Sequence, residues 1–152
     1  MIGSPMGLAA HAMMTAMLAG LIWTIQVVHY PMFADVGSGH FAYYEQEHTR
    51  RITWLVLPLM VAELTLAAGL CFAPLDSMAA APSWVPGAGF ALLVVIWGST
   101  GLLQVPEHTV LSKGFDAASH ARLVSTNWIR TLGWTVRAVL AMWMLLPPLP
   151  TH

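Results

Sequence analysis

Four long apolar runs constrain the fold of this chain more than any other feature of its sequence. They extend over residues 7–30, 52–73, 87–105 and 128–146. A helix needs about 20 apolar residues, at 1.5 Å each, to cross ~30 Å of hydrocarbon, and each run meets this length. Transmembrane β-strands would be about half as long and would alternate in polarity. We therefore predict an all-α integral membrane four-helix bundle, built as a single domain over residues 1–152.

Composition and proline positions agree with this interpretation. The chain is 57% hydrophobic and 9% charged, which is too apolar for an ordinary soluble domain. Pro31, Pro106 and the pair Pro147–Pro148 follow three of the runs, and we predict that helices end there because proline is common just past a helix. The net charge of −1 does not indicate a nucleic-acid partner. The expected partners are the lipid bilayer and a hydrophobic small molecule.

The basic residues predict the orientation of the bundle. All six lie in or beside the connections that join the first run to the second and the third to the fourth. Basic residues near span ends are retained on the cytoplasmic side, so we expect both termini outside and both polar connections inside, in a bacterial cytoplasmic membrane. The six residues are Arg50, Arg51, Lys113, Arg122, Arg130 and Arg137.

The two halves of the sequence resemble one another. A Gln-x-x-polar-polar segment closes the first run at residues 26–30 and the third at residues 104–108. Further along, residues 48–51 match residues 127–130 in ending on an arginine. The chain is therefore a candidate for two parallel hairpins related by a pseudo-two-fold axis along the membrane normal.

Polar residues spaced by three and four form a stripe on each expected helix, and residues at this spacing share a helix face. Polar groups within a bilayer face the protein interior and find partners there, so the four stripes predict an internal cavity that opens to the cytoplasm. Glu63 and Arg137 are the deepest charges and have opposite signs. They are interpreted either as a structural ion pair or as a proton path at the cavity floor. The first helix carries Trp23, Gln26 and Tyr30, with His29 beside them, and the second carries Glu45, His48 and Glu63. The third carries Trp97, Thr100, Gln104, Glu107 and His108, and the fourth carries His120, Asn127, Arg130, Trp134 and Arg137.

The Glu45-x-x-His48 motif points to a metal site as one alternative. It places a carboxylate and an imidazole one helical turn apart, as in diiron carboxylate bundles. His29, Glu107 and His108 could supply facing ligands. Such an oxygen- and imidazole-rich set favours iron or manganese over copper(I).

Haem b is the competing cofactor, and a cavity without any cofactor is the remaining alternative. His29 or His48 opposite His108 could bind the iron axially, while Arg51 and Arg130 paired with the propionates. The donor set favours iron or manganese over haem because these imidazoles lie at the span ends. The other histidines, His11, His40 and His152, are expected to be solvated or satisfied locally.

The pattern at the span ends resembles that of the anthrone-oxygenase-like family of small four-span membrane proteins. The residues that carry this resemblance are 29–31 (His-Tyr-Pro), 104–106 (Gln-Val-Pro) and 127–130 (Asn-Trp-Ile-Arg), with Arg137 as a further match. The resemblance implies oxidation of a quinol-like aromatic compound. A looser resemblance, to small haem-pathway oxidases and copper-export-type membrane proteins, rests on residues 30–33, residues 47–51 and Pro58.

The leading hypothesis is therefore a membrane oxidoreductase whose cavity binds a metal or haem and a flat, lipid-soluble substrate. In it, His48 and His108 would ligate or transfer protons, and Glu63 with Arg137 would form the cavity floor. The remaining polar residues would contact the cofactor or substrate: Gln26, Tyr30, Arg51, Gln104, Asn127, Arg130 and Trp134. The alternatives are a non-catalytic subunit of a larger membrane complex or of a homo-oligomer, and a proton-coupled carrier.

Overall fold

The computed structural model describes residues 2–73 and 81–146, and this part of the chain is helical without strands. The helices form four antiparallel rods. The first is α1 (Pro5–Thr24), extended by a π-helical turn (Ile25–His29) and a 3₁₀ turn (Pro31–Asp35), and the second is α2 (Ser38–Cys71). The third joins α3 (Val85–Ser99) through a second π-helical turn (Thr100–Gln104) to α4 (Val105–Leu111), and the fourth is α5 (Ala117–Trp143).

Three of these rods are long and apolar enough to cross a membrane: Pro5–Asp35, Ser38–Cys71 and Val85–Leu111. Helix α5, which carries the fourth predicted span, is 27 residues long but is not among them. Its polar side chains Asn127, Arg130, Thr131 and Arg137 are buried against the other rods, while Leu132, Val136, Val139 and Met142 are exposed. Its outer surface is therefore apolar, and the polar interior face lowers the mean hydropathy of the whole helix.

Pro31 and Pro106 do not end the helical course of their rods, contrary to the prediction. Each occupies the first turn of the next helical segment, where the missing N–H has no partner to lose. The helix that begins at Ala117 starts with a cap, because the Oδ1 atom of Asp116 accepts the backbone N–H of Ser119 at 2.7 Å. The predicted stop at Pro147–Pro148 and the predicted loop residues Pro74 and Asp76 lie outside the described residues.

Both π-helical turns hold the same position relative to the proline that follows. The Tyr30 N–H donates to the Ile25 carbonyl, and the Val105 N–H donates to the Thr100 carbonyl. In each case the turn ends two residues before the proline. This correspondence aligns the two halves of the chain in a different register from the Gln26 and Gln104 match. π-Helical turns often occur at functional sites.

The rods pack as a ring in which α1 and α3 each contact both α2 and α5. Helices α3 and α5 approach closely where the Gly133 backbone lies under the Ile96 side chain. The first rod ends, and the second begins, at the end of the bundle that holds α4 and the start of α5. We call this end, which carries His29, His48 and His108, the histidine end.

Candidate functional site

A cavity of about 530 Å³ lies at the histidine end. It lies between α2 and the α3–α4 rod and extends inward to Tyr30 and Arg130. Its apolar walls come mainly from α2, through Ile52, Val56 and Met60. Leu57 and Val105, at its margin, are exposed on the outer surface of the bundle. The cavity therefore opens sideways, between α2 and the α3–α4 rod.

The polar groups of the cavity come from all four rods. Tyr30 follows the first π-helical turn, Gln104 ends the second, and His108 lies one turn further along α4. Arg130 reaches the cavity from α5, and α2 supplies the hydroxyls of Thr49 and Thr53. Six of the predicted stripe residues thus meet in one chamber: Tyr30, Trp97, Thr100, Gln104, His108 and Arg130.

His108 links Tyr30 to Glu45. Its Nδ1 atom lies 2.5 Å from Oε1 of Glu45, and its Nε2 atom lies 3.0 Å from the Tyr30 hydroxyl. Glu45 is fully buried, and an ionised carboxylate only accepts hydrogen bonds. The Nδ1–H therefore donates to Glu45, which leaves Nε2 to accept from the Tyr30 hydroxyl. The Tyr30 oxygen is then the basic atom at the cavity surface.

Two further imidazoles, those of His29 and His48, form a pair on the other side of α2. The Nε2 atom of His29 is 2.8 Å from Nδ1 of His48, and the His48 and His108 ring centroids are 5.7 Å apart. Both His29 and His48 line a separate pocket of about 620 Å³ that also contains Tyr43 and Arg51. The side chains of the first and second rods thus form a wall between two pockets.

Burial, more than the neighbouring imidazoles, favours the neutral form of His48. Helix α2 is longer than the ~20 residues that a bilayer requires, and its polar residues before Ile52 lie outside the predicted span. Burial, together with the nearby His29 and His108, lowers the pKa of His48 to about 3. At the exposed surface, hydrogen bonds from Arg50 and then Arg51 lower the pKa of Glu47 to about 2.

Several buried polar atoms of the site have no hydrogen-bond partner within the described part of the chain. Glu45 has one such atom, Oε2, and His48 has Nε2. Trp97 Nε1 and Arg130 Nε are in the same state. Buried polar groups without partners are rare and costly. Of these four residues, Trp97 and Arg130 line the cavity, which makes it a candidate site for a ligand or ordered water. Three further atoms without a partner among the described residues belong to His11, Glu63 and Arg137, elsewhere in the bundle.

Behind the cavity, a chain of amides supports Arg130. Its NH1 atom donates to the Asn127 side-chain oxygen at 3.1 Å, and Asn127 Nδ2 donates to Gln26 Oε1 at 2.8 Å. Gln26 in turn donates to the Val124 carbonyl at 3.1 Å. Three residues predicted to contact a ligand thus form one network, in which Arg130 reaches the cavity and the amides hold it.

Glu63 and Arg137 form a separate buried cluster. They are directly hydrogen-bonded, and Thr15 donates to Glu63 Oε1 at 2.5 Å. Glu63 lies ~27 Å along α2 from Glu45, at 1.5 Å per residue. Neither member of the pair lines the cavity. Their arrangement agrees with the structural ion-pair alternative, and Trp134 contributes by stacking under the Arg137 guanidinium at 5.6 Å.

His11 corrects a sequence-based expectation. It was expected to be solvated or satisfied locally, yet it is buried, and its Nε2 atom lies 3.2 Å from Glu63 Oε1. His11 and Thr15 are four residues apart on α1 and both face Glu63. The four-residue spacing of His11 and Thr15 is the sequence feature that could have predicted this contact. His120, which the stripe on the fourth helix included, has its Nε2 atom 2.8 Å from the Tyr30 carbonyl.

Two predicted residues lie outside the site. Glu107 pairs with Arg122 at 2.7 Å and points away from the imidazoles. Arg51 pairs with Glu47 at 3.1 Å, and 74% of its side chain is exposed. The other proposed metal ligands, His29, Glu45, His48 and His108, do come together.

These residues do not form an open coordination shell. Within residues 2–73 and 81–146, no three His, Cys, Asp or Glu side chains are arranged to hold one metal ion. Both ring nitrogens of His108 are already hydrogen-bonded, and His29 contacts His48 directly. A metal or a haem iron would have to replace these contacts. The observed arrangement fits proton transfer.

Comparison with known proteins adds no relative. The chain matches no protein-family model, no curated protein and no solved structure.

Proposed function

We propose that this protein is a membrane-embedded oxidoreductase that binds a flat, lipid-soluble quinol in the lateral cavity. The bundle crosses a bacterial cytoplasmic membrane four times, with both termini outside. Three rods have the required length and composition, and the exposed apolar surface of α5 supports the fourth crossing. Five of the six basic residues lie at the histidine end and support the orientation, whereas Arg137, expected beside a connection, lies in the Glu63 cluster.

The shape of the cavity supports this substrate class. A chamber of about 530 Å³ with mostly apolar walls is in the size range of sites for small organic ligands. Its opening lies between two rods that face lipid in the proposed bundle, so a substrate dissolved in the bilayer reaches it without crossing water. The resemblance to anthrone-oxygenase-like proteins implies the same kind of compound.

The position of His108 between Tyr30 and Glu45 is the observation that carries the proposal. A quinol hydroxyl donates its proton to the Tyr30 oxygen while Tyr30 passes its own proton to His108 Nε2. The buried Glu45 carboxylate stabilises the resulting imidazolium. The quinolate is a stronger reductant than the quinol, and dioxygen is the proposed electron acceptor. Overall, the quinol loses two electrons and two protons, and dioxygen gains them to form hydrogen peroxide.

The test is oxidation of decylubiquinol by the purified protein in detergent, followed by quinone absorbance and oxygen uptake. His108→Gln keeps a polar side chain but cannot carry the proton, and we expect the rate to fall roughly 100-fold, as general bases contribute 10² or more. His40→Gln is the matched control, because His40 is an exposed histidine of α2 outside the cavity. Wild-type protein with no rate above buffer, or His108→Gln with the wild-type rate, would disprove the proposal.

A further inference from the structure

The buried arginine of the cavity lacks a carboxylate partner. Arg130 is only 7% exposed, and no carboxylate within residues 2–73 and 81–146 lies within ion-pair distance of it. By contrast, the other four arginines of the described residues each pair with an acid. Arg137 pairs with Glu63, Arg122 with Glu107, and Arg50 together with Arg51 with Glu47.

Within residues 2–73 and 81–146, the acids are already engaged or remote from Arg130. Glu45 contacts His108, and Asp116 caps α5. Asp35 is exposed at the surface. Among these acids, only Glu45 could compensate the charge of Arg130, and His108 and Tyr30 separate the two side chains. Glu45 compensates charge only at a distance and leaves the Nε–H of Arg130 unpaired.

An unpaired buried charge is expensive, since the effective desolvation penalty is several kcal/mol per ion. Within the protein, Arg130 donates to the side-chain oxygen of Asn127 and also contacts the Tyr30 hydroxyl, and neither group is a carboxylate. The amide chain through Asn127 to Gln26 nevertheless holds the guanidinium at the cavity, on whose wall Tyr30 and His108 also lie. A fixed cation beside a proton-accepting relay is suited to a ligand that carries an anion next to an acidic hydroxyl.

We infer that the natural substrate of this cavity is an aromatic hydroxy acid whose carboxylate pairs with Arg130. This inference rests on the proposed function, because it places the quinol ring between Arg130 and the Tyr30–His108 relay. It adds a charge requirement that a neutral quinol would not meet. A planar carboxylate matches the fork of a guanidinium, which gives it two parallel hydrogen bonds.

Two probes that differ only in the carboxylate test the inference: 1,4-dihydroxy-2-naphthoate and 1,4-dihydroxynaphthalene. Their binding to the purified protein is measured by calorimetry under nitrogen, where no oxidation occurs. We expect the wild-type protein to bind the carboxylate probe on the order of ten- to a hundred-fold more tightly, the factor expected of a charge-assisted hydrogen bond. Arg130→Gln should abolish that preference by weakening binding of the carboxylate probe.

Arg122→Gln is the matched control, since Arg122 lies on the same helix but pairs with Glu107 at the surface, and it should retain the preference. Arg130→Lys keeps the charge and should retain part of it, which also covers the case in which the glutamine variant fails to fold. Equal binding of both probes by the wild type would overturn the inference while leaving the proposed oxidation of neutral quinol standing. If the wild type binds neither probe, both proposals fail. If Arg130→Gln slows oxidation of both probes equally, Arg130 acts on the ring oxyanion, and the carboxylate inference is wrong.

Discussion

The Nε2 atom of His29 lies 2.8 Å from the Nδ1 atom of His48, so two imidazoles from different rods share one hydrogen bond. The sequence-based metal hypothesis placed an ion among these residues. This contact occupies one of the two ring lone pairs, so an ion that used both imidazoles would have to break it.

We therefore expect purified protein to contain substoichiometric iron and manganese and to show no Soret band. Elemental analysis and an absorption spectrum measure both quantities on the same sample. One metal ion per chain, lost on substitution of His48 and His108 by alanine, would instead establish the coordination hypothesis. His40→Ala serves as the comparison, because His40 is exposed and is not one of the three clustered histidines His29, His48 and His108.

Glu45 should matter for oxidation far more than its neighbour Glu47. Glu45→Gln removes the charge that stabilises a protonated His108, and we expect the quinol oxidation rate to fall roughly 100-fold, within the range of acid–base contributions. Glu47→Gln, two residues along the same helix, breaks only exposed ion pairs with Arg50 and Arg51 and should change the rate little. Initial rates at saturating quinol measure the difference. Equal losses in the two variants would show that Glu45 acts through the helix and not through His108.

The Glu63–Arg137 pair should contribute to stability and not to oxidation. Glu63→Gln leaves the Arg137 charge buried without its counter-ion, and removing one partner of a buried pair typically costs 3–5 kcal/mol. We expect a lower midpoint of thermal unfolding in detergent, measured by intrinsic fluorescence. The double variant Glu63→Leu with Arg137→Met removes both charges and should recover most of the loss.

Both variants should oxidise quinol at the wild-type rate below their unfolding temperatures, since neither residue lines the cavity. A selective loss of oxidation in the folded Glu63→Gln variant would indicate that the cluster belongs to a proton path after all.

Gly133 should tolerate no larger side chain. A Cβ atom there would lie 2.9 Å from Ile96 Cγ1, which is too close for two carbon atoms. Gly133→Val should therefore push α3 from α5 and lower the unfolding free energy by about 1–3 kcal/mol. Gly98→Ala is the control on the facing rod, where nothing lies within 4 Å, and alanine should be neutral or stabilise by up to ~1 kcal/mol. Unfolding midpoints of the two variants test this, and a Gly133→Val protein as stable as Gly98→Ala would contradict the close packing.

The helical fold and the convergence of Glu45, His48, His29 and His108 follow from patterns that the sequence displays openly. Apolar run length predicts the helices, and polar residues in an apolar bundle must turn inward. What the pattern could not provide is the partner of each inward group. Glu107 sits beside His108 in the chain but pairs outward with Arg122, because adjacent helical residues point about 100° apart.

The partner of His11 illustrates the same limit across helices. Whether it faces lipid, water or Glu63 depends on the rotation of α1 about its axis, which average hydropathy does not report. The π-helical turns add a further rotation that regular spacing rules leave out. Residues before and after such a turn cannot be placed on one face by counting threes and fours alone.

The first π-helical turn also decides where the rod can change its length. The turn holds one residue more than a regular α-helical turn, so removing one residue from Ile25–His29 would restore α-helical pairing and leave Tyr30 nearly in place. Removing one residue from α1 itself would instead rotate the two sides of the deletion by about 100° relative to each other. A one-codon deletion would therefore be mild inside the turn and would separate Tyr30 from the packing face of α1 when it falls a few residues earlier.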